Sequence, residues 1–320
     1  MENNCVYGEK QRYTLHPIKY PEIWNSYKTQ LACFWIPSEI DFSKDKYDWD
    51  NKLSDNERYF LKNILAFFAG SDGIVELNIL NNFIKEVNIL EAQITYNFQG
   101  TMEGIHSEVY SIMIDTYIDN EDEKNNLFNA IYTVPCIGKK ANWAIKWASE
   151  EKPFIERLLA YIIVEGLFFS GAFCSIYWIK ERGILAGLTK SNEFIARDEG
   201  LHTQFGILLY KMSKNRLSQH IVHEIISEAV NIESEFITIS LPVKLIGMNN
   251  DLMLQYIKYI ADWILINLDY QKLYNVVNPF SFMDNLGMQS KSNFFDERTS
   301  TYQNAHIFNS SKKYELVDDF

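Results

Sequence analysis

Cysteine is scarce in this chain. Four residues, Cys5, Cys33, Cys136 and Cys174, are scattered through 320 positions without a C-x-x-C pair, which argues against a disulfide framework and for a reducing compartment. Positive charge is also short, since 42 acidic against 30 basic side chains leave a formal charge of −12. An acidic surface opposes non-specific contact with phosphate backbones. No basic stripe with interleaved aromatics is present, so no nucleic acid partner is expected. The opening MENNCVYGEKQRY lacks the apolar core of a signal peptide, and a cytoplasmic protein is the simplest expectation. β-Alternation is rare, and the one Asp-Gly pair, Asp72-Gly73, lies inside a helical pattern. Long apolar runs are missing too, with one exception. Residues Leu158 to Ile179 form a 22-residue stretch with a single charge, Glu165. By length it matches a membrane span of roughly 20 residues, but a helix apolar on all sides equally forms the centre of a large helical protein. No second segment is comparable, so burial is preferred and no membrane association is expected.

What is present is helical, in a chain long enough for one large domain or at most two. Ser54-Asp55-Asn56-Glu57 is a capping box that opens a segment running to about Val87. Asn88 is placed to cap a second helix, through Tyr110 to about Tyr117. A third stretch, from about Glu123 to Ser149, is broken near Pro135. Pro153 suits the first turn of the apolar helix and Gly183 its C-terminal stop. Further helices are expected over about 192–213, 218–239 and 250–268. From about Val277 the pattern fades, residues 300–313 are polar, and the chain closes on Tyr314-Glu-Leu-Val-Asp-Asp-Phe320. That composition fits a flexible tail ending in a docking motif. The expected class is all-α, with a helical domain over 1–299 and a tail over 300–320.

Two local patterns carry chemistry. Glu103-Gly-Ile-His106 and Glu199-Gly-Leu-His202 are both E-x-x-H, 96 residues apart. On a helix, positions i and i+3 share a face, so each presents one carboxylate beside one imidazole. Each also has an upstream partner inside an apolar run: Asp72 lies 31 residues before Glu103, and Glu165 lies 34 before Glu199. The chain thus reads twice as a helix with a buried carboxylate followed by a return helix with E-x-x-H. This is the di-metal carboxylate pattern of ferritin-like bundles. Electrostatics agree. Each buried ion costs on the order of several kcal/mol, and two divalent cations would balance four carboxylates. Mixed oxygen and nitrogen ligands suit iron or manganese better than structural zinc. A competing pair, His220 and His223, has no matching carboxylates and reads as surface or packing.

Beside the ligands, Tyr110 follows His106 by four residues, one turn along the same face. Phe169 and Phe173 follow Glu165 by four and eight, and Ile195 precedes Glu199 by four. The periodicity surrounds a phenol with apolar side chains. Ordinary core packing is one reading; a phenol oxidised by an oxygen-activating metal pair and kept dry is the other.

The blocks Phe67 to Val75, Met102 to Tyr110, Val164 to Gly171 and Arg197 to His202 closely resemble the signature blocks of the class I ribonucleotide reductase small subunit. Leu241 to Met248 and Asn278 to Met283 resemble its eukaryotic and viral branch. The resemblance runs from about Tyr20 to Phe320. It implies a ferritin-like helical bundle in which Asp72, Glu103, His106, Glu165, Glu199 and His202 hold two iron ions as a di-iron-oxo centre. The same ligands accept a manganese-iron centre. It further implies that O2 is used to place a stable radical on Tyr110, inside a pocket of Phe169, Phe173 and Ile195. Trp49 is matched to the tryptophan that connects through Asp198 to His106, and Tyr302 to the tail tyrosine that passes the oxidising equivalent on. Tyr314, Leu316 and Phe320 belong to the segment that docks on the large subunit, where ribonucleotides become deoxyribonucleotides. A homodimer is implied as well.

Departures from the family pattern are few. The N-terminal extension of many animal members is absent, so regulation through it is not expected. Tyr314 stands where Phe is common, and Gly104 replaces the usual Asn between Glu103 and His106. There is no G-x-x-x-x-G-K-[ST] or G-x-G-x-x-G cradle, and no cysteine cluster for reducing a ribose. Substrate chemistry then belongs to another chain. Two rivals remain: another ferritin-like di-metal oxidase, which would not need Trp49, Asp198, Tyr302 or a docking tail, and a radical-inactive regulatory homologue.

Overall fold

The computed structural model describes residues 12–149 and 151–283. Tyr302, Tyr314, Leu316 and Phe320 therefore lie outside the described residues, and so does the expected tail over 300–320. Among the described residues every regular element is a helix.

Four long helical units make the centre. The first runs from α3 (Asp55–Asn78) through a π turn (Ile79–Phe83) into the short α4 (Ile84–Glu86). Its start is the capping box read from sequence: Ser54 N–H donates to Glu57 Oε2 at 2.7 Å, and Glu57 N–H donates to Ser54 Oγ at 3.3 Å. The second, α5 (Leu90–Tyr117), begins after a three-residue return, with Ile89 rather than Asn88 at its N-cap. The third comprises α9 (Phe154–Ile163), a π turn (Val164–Phe168) and α10 (Ser170–Lys180). The fourth, α11 (Ala186–Met212), starts six residues earlier than its periodicity implied. Helices α3 and α5 pack together, α9 and α10 pack on α11, and α5 meets α11.

The early start of α11 has a tertiary cause. Helix α2 (Asp45–Lys52) supplies two carboxylates that cap it from a distance. Asp45 accepts the Gly187 and Leu188 N–H groups at 2.9 and 2.8 Å, and Asp48 accepts the Leu185 N–H at 3.0 Å. Leu185 holds a left-handed φ of 54°, costly for a side chain with a Cβ, and the Asp48 bond and complete burial hold it there. Gly183, with φ of +65°, ends α10 as expected.

The remaining helices wrap this centre: α1 (Pro21–Ala32), α6 (Glu121–Phe128), α7 (Ala130–Thr133), α8 (Pro135–Ala148), α12 (Gln219–Glu235) and α13 (Asn250–Asn267). Pro135 opens α8 at its first turn, where a missing N–H costs nothing. The unit Phe154–Lys180 is long and apolar enough to cross a membrane, yet its most apolar stretch is entirely buried in the protein. It is a core helix, and its apolarity is spent on neighbours from α8, α11, α12 and α13.

Candidate metal centre

The six residues singled out by spacing converge on one point. Asp72 on α3, Glu103 and His106 on α5, Glu165 in the π turn, and Glu199 and His202 on α11 are all at most 2% exposed. Two overlapping groups have ligand atoms within 4.8 Å of one another: Glu103, Glu165, Glu199 and His202, and Asp72, Glu103 and His106. The histidines cross over between the E-x-x-H motifs. His106 Nδ1 lies 3.0 Å from Glu199 Oε1, and His202 Nδ1 lies 2.9 Å from Glu103 Oε1. Within each motif the corresponding gaps are 3.5 and 3.4 Å.

This donor set fits a pair of metal ions. Both carboxylate oxygens of Glu103, Glu165 and Glu199, Oδ2 of Asp72, and Nδ1 of both histidines are buried without an aligned hydrogen-bond partner. Buried polar atoms are almost always satisfied, and here nine converge with none. Without cations, protons take up the charge. Burial, then Glu103 and Glu199, push Asp72 well above the usual carboxylate range. Burial and Glu199 do the same to Glu165. Glu199 moves the other way: burial opposes its ionisation, but the Glu165 carboxyl and the His106 and His202 imidazoles beside it hold it low. For His202 burial is outweighed by Glu103 and Glu199, and its value rises to about 9. His106 rises likewise, burial being overcome by Asp198, Glu103 and Glu199.

Glu165 owes its position to the π turn. One inserted residue re-aims the side chains that follow, and such insertions are frequent at functional sites. Gly166 sits tightly here: an added Cβ would come within 3.0 Å of Thr203 Cγ2. Gly104, by contrast, has open space where its Cβ would be, so its departure from the family pattern disturbs neither neighbouring ligand.

Tyr110 is 2% exposed, one turn beyond His106. Its ring stacks on Phe68 at 4.8 Å, and Phe68 in turn meets Phe173 at 5.0 Å and Phe169 at 5.8 Å. Ile195 is buried one turn before Glu199. Burial, then Asp72, pushes the phenol well above 10, so it is a neutral, dry tyrosine. Phe68, the ring in direct contact, was not among the pocket residues expected from sequence. Its signal was available, since it precedes Asp72 by one turn on the same face.

Trp49 is corrected by the geometry. The indole that reaches Asp198 is Trp35, whose Nε1 donates to Asp198 Oδ2 at 2.6 Å. The same Oδ2 lies 3.3 Å from His106 Nε2, and the Trp35 ring stacks over His106 at 6.0 Å. Arg197 also pairs with Asp198 at 3.0 Å and, with His106, keeps it ionised against its burial. Trp49 stacks instead on Tyr117, at 4.7 Å and 11°, and Tyr117 OH donates to Asp45 at 2.8 Å. It therefore supports α2, the helix that caps α11. Both tryptophans sit among acidic residues before α3, and nothing local separates them. The contact with Asp198 spans 163 residues, beyond the reach of periodicity.

The histidine pair at 220 and 223 stays on the surface. His220 is exposed beside Glu224, and His223 Nε2 meets the Gln271 carbonyl at 2.9 Å. Among the described residues, Cys33, Cys136 and Cys174 form no disulfide.

Comparison with known proteins adds to this geometry. The family model described as "Ribonucleotide reductase, small chain" matches residues 12–279. A ribonucleoside-diphosphate reductase small chain of Neurospora crassa is 53% identical over 95% of this chain and 74% of its own length. The small chain of Variola virus is 50% identical over 96% of both chains. Among solved structures, the ribonucleotide reductase Rnr4 homodimer of Saccharomyces cerevisiae superposes with a TM-score of 0.82 at 34% identity, covering 94% of this chain and 93% of that one.

Proposed function

This chain belongs to the ribonucleotide reductase small-chain family, and from that premise we propose that it stores an oxidising equivalent on Tyr110 and delivers it to a large subunit. Its activity is that of a ribonucleoside-diphosphate reductase small subunit. Asp72, Glu103, His106, Glu165, Glu199 and His202 would hold two iron ions, or a manganese-iron pair, which the same donors accept. When bound, those ions supply the one-electron oxidising power drawn from O2.

The protein's own residues do the rest. Tyr110 gives up one electron and its phenolic proton. That proton passes to the buried carboxylates beside the phenol, of which Asp72 acts on it first, then Glu199 and Glu103. Phe68, Phe169, Phe173 and Ile195 keep water and reductants from the phenoxyl that remains, which otherwise would be quenched. Asp198 fixes the outward route: it accepts from Trp35, faces His106 Nε2 and is itself held by Arg197. An electron moving inward from Trp35 through Asp198 and His106 is the same event as an oxidising equivalent moving out. Beyond Trp35 the route is assigned to Tyr302, and Tyr314, Leu316 and Phe320 are assigned to docking on the large subunit. We further assign a homodimer and a cytoplasmic location.

The observation that carries this reading is the chain Trp35–Asp198–His106, running from the metal centre to a buried tryptophan just after α1. A stand-alone di-metal oxidase has no use for it. Given iron(II) and oxygen, the metal-free full-length protein is expected to show a tyrosyl radical by electron paramagnetic resonance, absent in Tyr110→Phe. A metal-loaded, oxygen-treated wild type without that signal overturns the reading.

A further inference from the structure

Lys140 lies in the run Lys139-Lys140 on α8, where a solvated ammonium is the ordinary expectation. Instead it is 1% exposed, and its partner Glu233 on α12 is 0% exposed. Lys140 Nζ is 2.6 Å from Glu233 Oε2 and donates to the Phe168 carbonyl at 2.5 Å. The ammonium also lies 3.7 Å from the Phe67 ring centroid and 4.1 Å from that of Phe236, within cation–π range.

Stability gives no sufficient reason for this arrangement. Taking two charges out of water commonly costs as much as their attraction returns, and an apolar pair often serves the fold equally well. What the pair touches is more telling. The π turn Val164–Phe168 carries Glu165, and such a turn moves carbonyls off the regular ladder. Two at its end are taken by side chains: Leu167 O by Ser170 Oγ at 2.6 Å, and Phe168 O by Lys140. Glu233 lies against the backbone just beyond, since a Cβ at Gly171 would come within 2.7 Å of its Oε1. The pair therefore grips the chain at 168 and 171, directly after the ligand. Phe67, under the ammonium, packs on Phe169 at 5.6 Å and on Phe68 at 5.7 Å, two rings of the Tyr110 pocket.

We propose that Lys140 and Glu233 are positioning residues of the metal centre, holding the π turn so that Glu165 meets the other ligands and the wall around Tyr110 keeps its shape. The inference rests on the metal-centre reading above. Burial draws Lys140 down to about 8 against the pull of Glu233, and pushes Glu233 up against that of Lys140. Each keeps the other charged, so neither can be removed alone without stranding its partner.

The test removes both together in the full-length protein, Lys140→Met with Glu233→Met, using manganese(II) alone as the binding probe and iron(II) with oxygen for the radical. Wild type should bind two ions per chain; if it does not, the metal-centre reading fails and this inference falls with it. In the double variant the melting temperature should hold. Binding at the site containing Glu165 should weaken by about 10–100-fold, the range for outer partners of metal ligands, and the Tyr110 radical should decay faster with an altered line shape. Wild-type affinity for both ions together with an unchanged radical overturns the inference. Should the double variant not fold, Gly171→Ala tests the same contact by displacing the Glu233 carboxylate with both charges kept. It should weaken the same site, and unchanged binding there is equally decisive against the proposal.

Discussion

Replacing Trp35 by Phe separates the outward route from the site that feeds it. The substitution keeps a ring over His106 but removes the Nε1 donor 2.6 Å from Asp198 Oδ2. A hydrogen bond to a buried charge contributes about 1.5–3 kcal/mol, and the smaller ring gives up roughly 1 kcal/mol of burial. Asp198 is not stranded, because Arg197 and His106 still hold it, so the sum of about 4 kcal/mol is an upper figure. At about 2–4 °C per kcal/mol, the range for domains of about 150–250 residues, the melting point should fall by at most roughly 8–16 °C, leaving a folded protein. The chemistry should suffer far more. The Tyr110 radical should still form with iron(II) and oxygen, while reduction assayed with the large subunit should drop by about 100-fold, the upper end for an outer partner of a metal ligand. Trp49→Phe is the control. Its ring stacks on Tyr117, away from Asp198, and it should retain near wild-type turnover. Full activity in Trp35→Phe, or loss of activity in a well-folded Trp49→Phe, would refute the assignment.

Metal removal should become more damaging as pH rises. The metal-free site has Asp72, Glu165, His106 and His202 all raised. A raised group gives its full stabilisation below its ordinary value and loses it as pH climbs through the folded one. For His202 that window runs from 6.5 to about 9. Bound cations displace those protons, so the gap in melting temperature between manganese-loaded and metal-free protein should widen across this window, and a constant gap measured by calorimetry contradicts the donor assignment. Asp45→Ala removes one buried acceptor from Gly187 N–H, Leu188 N–H and Tyr117 OH. With buried donors left unpaired at about 1–3 kcal/mol each, denaturant titration should show a loss of about 3 kcal/mol or more, and a value under 1 would show that α11 does not depend on this cap. Deleting Tyr314–Phe320 should abolish activity without altering the radical, and the free peptide should inhibit competitively; unchanged turnover in the truncated protein would remove the tail from the docking scheme.

Much of the centre was legible before any fold was known. Asp72, Glu103, His106, Glu165, Glu199 and His202 are local signals: carboxylates in apolar helices, and E-x-x-H pairs whose two members must share a helix face. Burial of such residues without cations costs too much to be incidental, so pattern and electrostatics pointed to metals without tertiary information. The same holds for burial of the unit Phe154–Lys180, and for Tyr110 one turn from His106.

Other features rest on contacts that no period encodes. Helix α11 begins at Ala186 because Asp45 and Asp48 arrive from α2 to satisfy its first N–H groups. Lys140 is a core residue because an opposing carboxylate, a carbonyl and two aromatic faces gather around it; in sequence it is one lysine of a pair. Glu165 was visible as a buried carboxylate, but the π turn that aims it was not, since one inserted residue leaves composition and amphipathicity almost unchanged. Between Trp35 and Trp49 only the fold could choose. Sequence determined which residues are the candidate ligands, because each E-x-x-H pair shares one helix face. The tertiary structure decided which tryptophan serves them, because that choice depends on where two segments 163 residues apart come to rest.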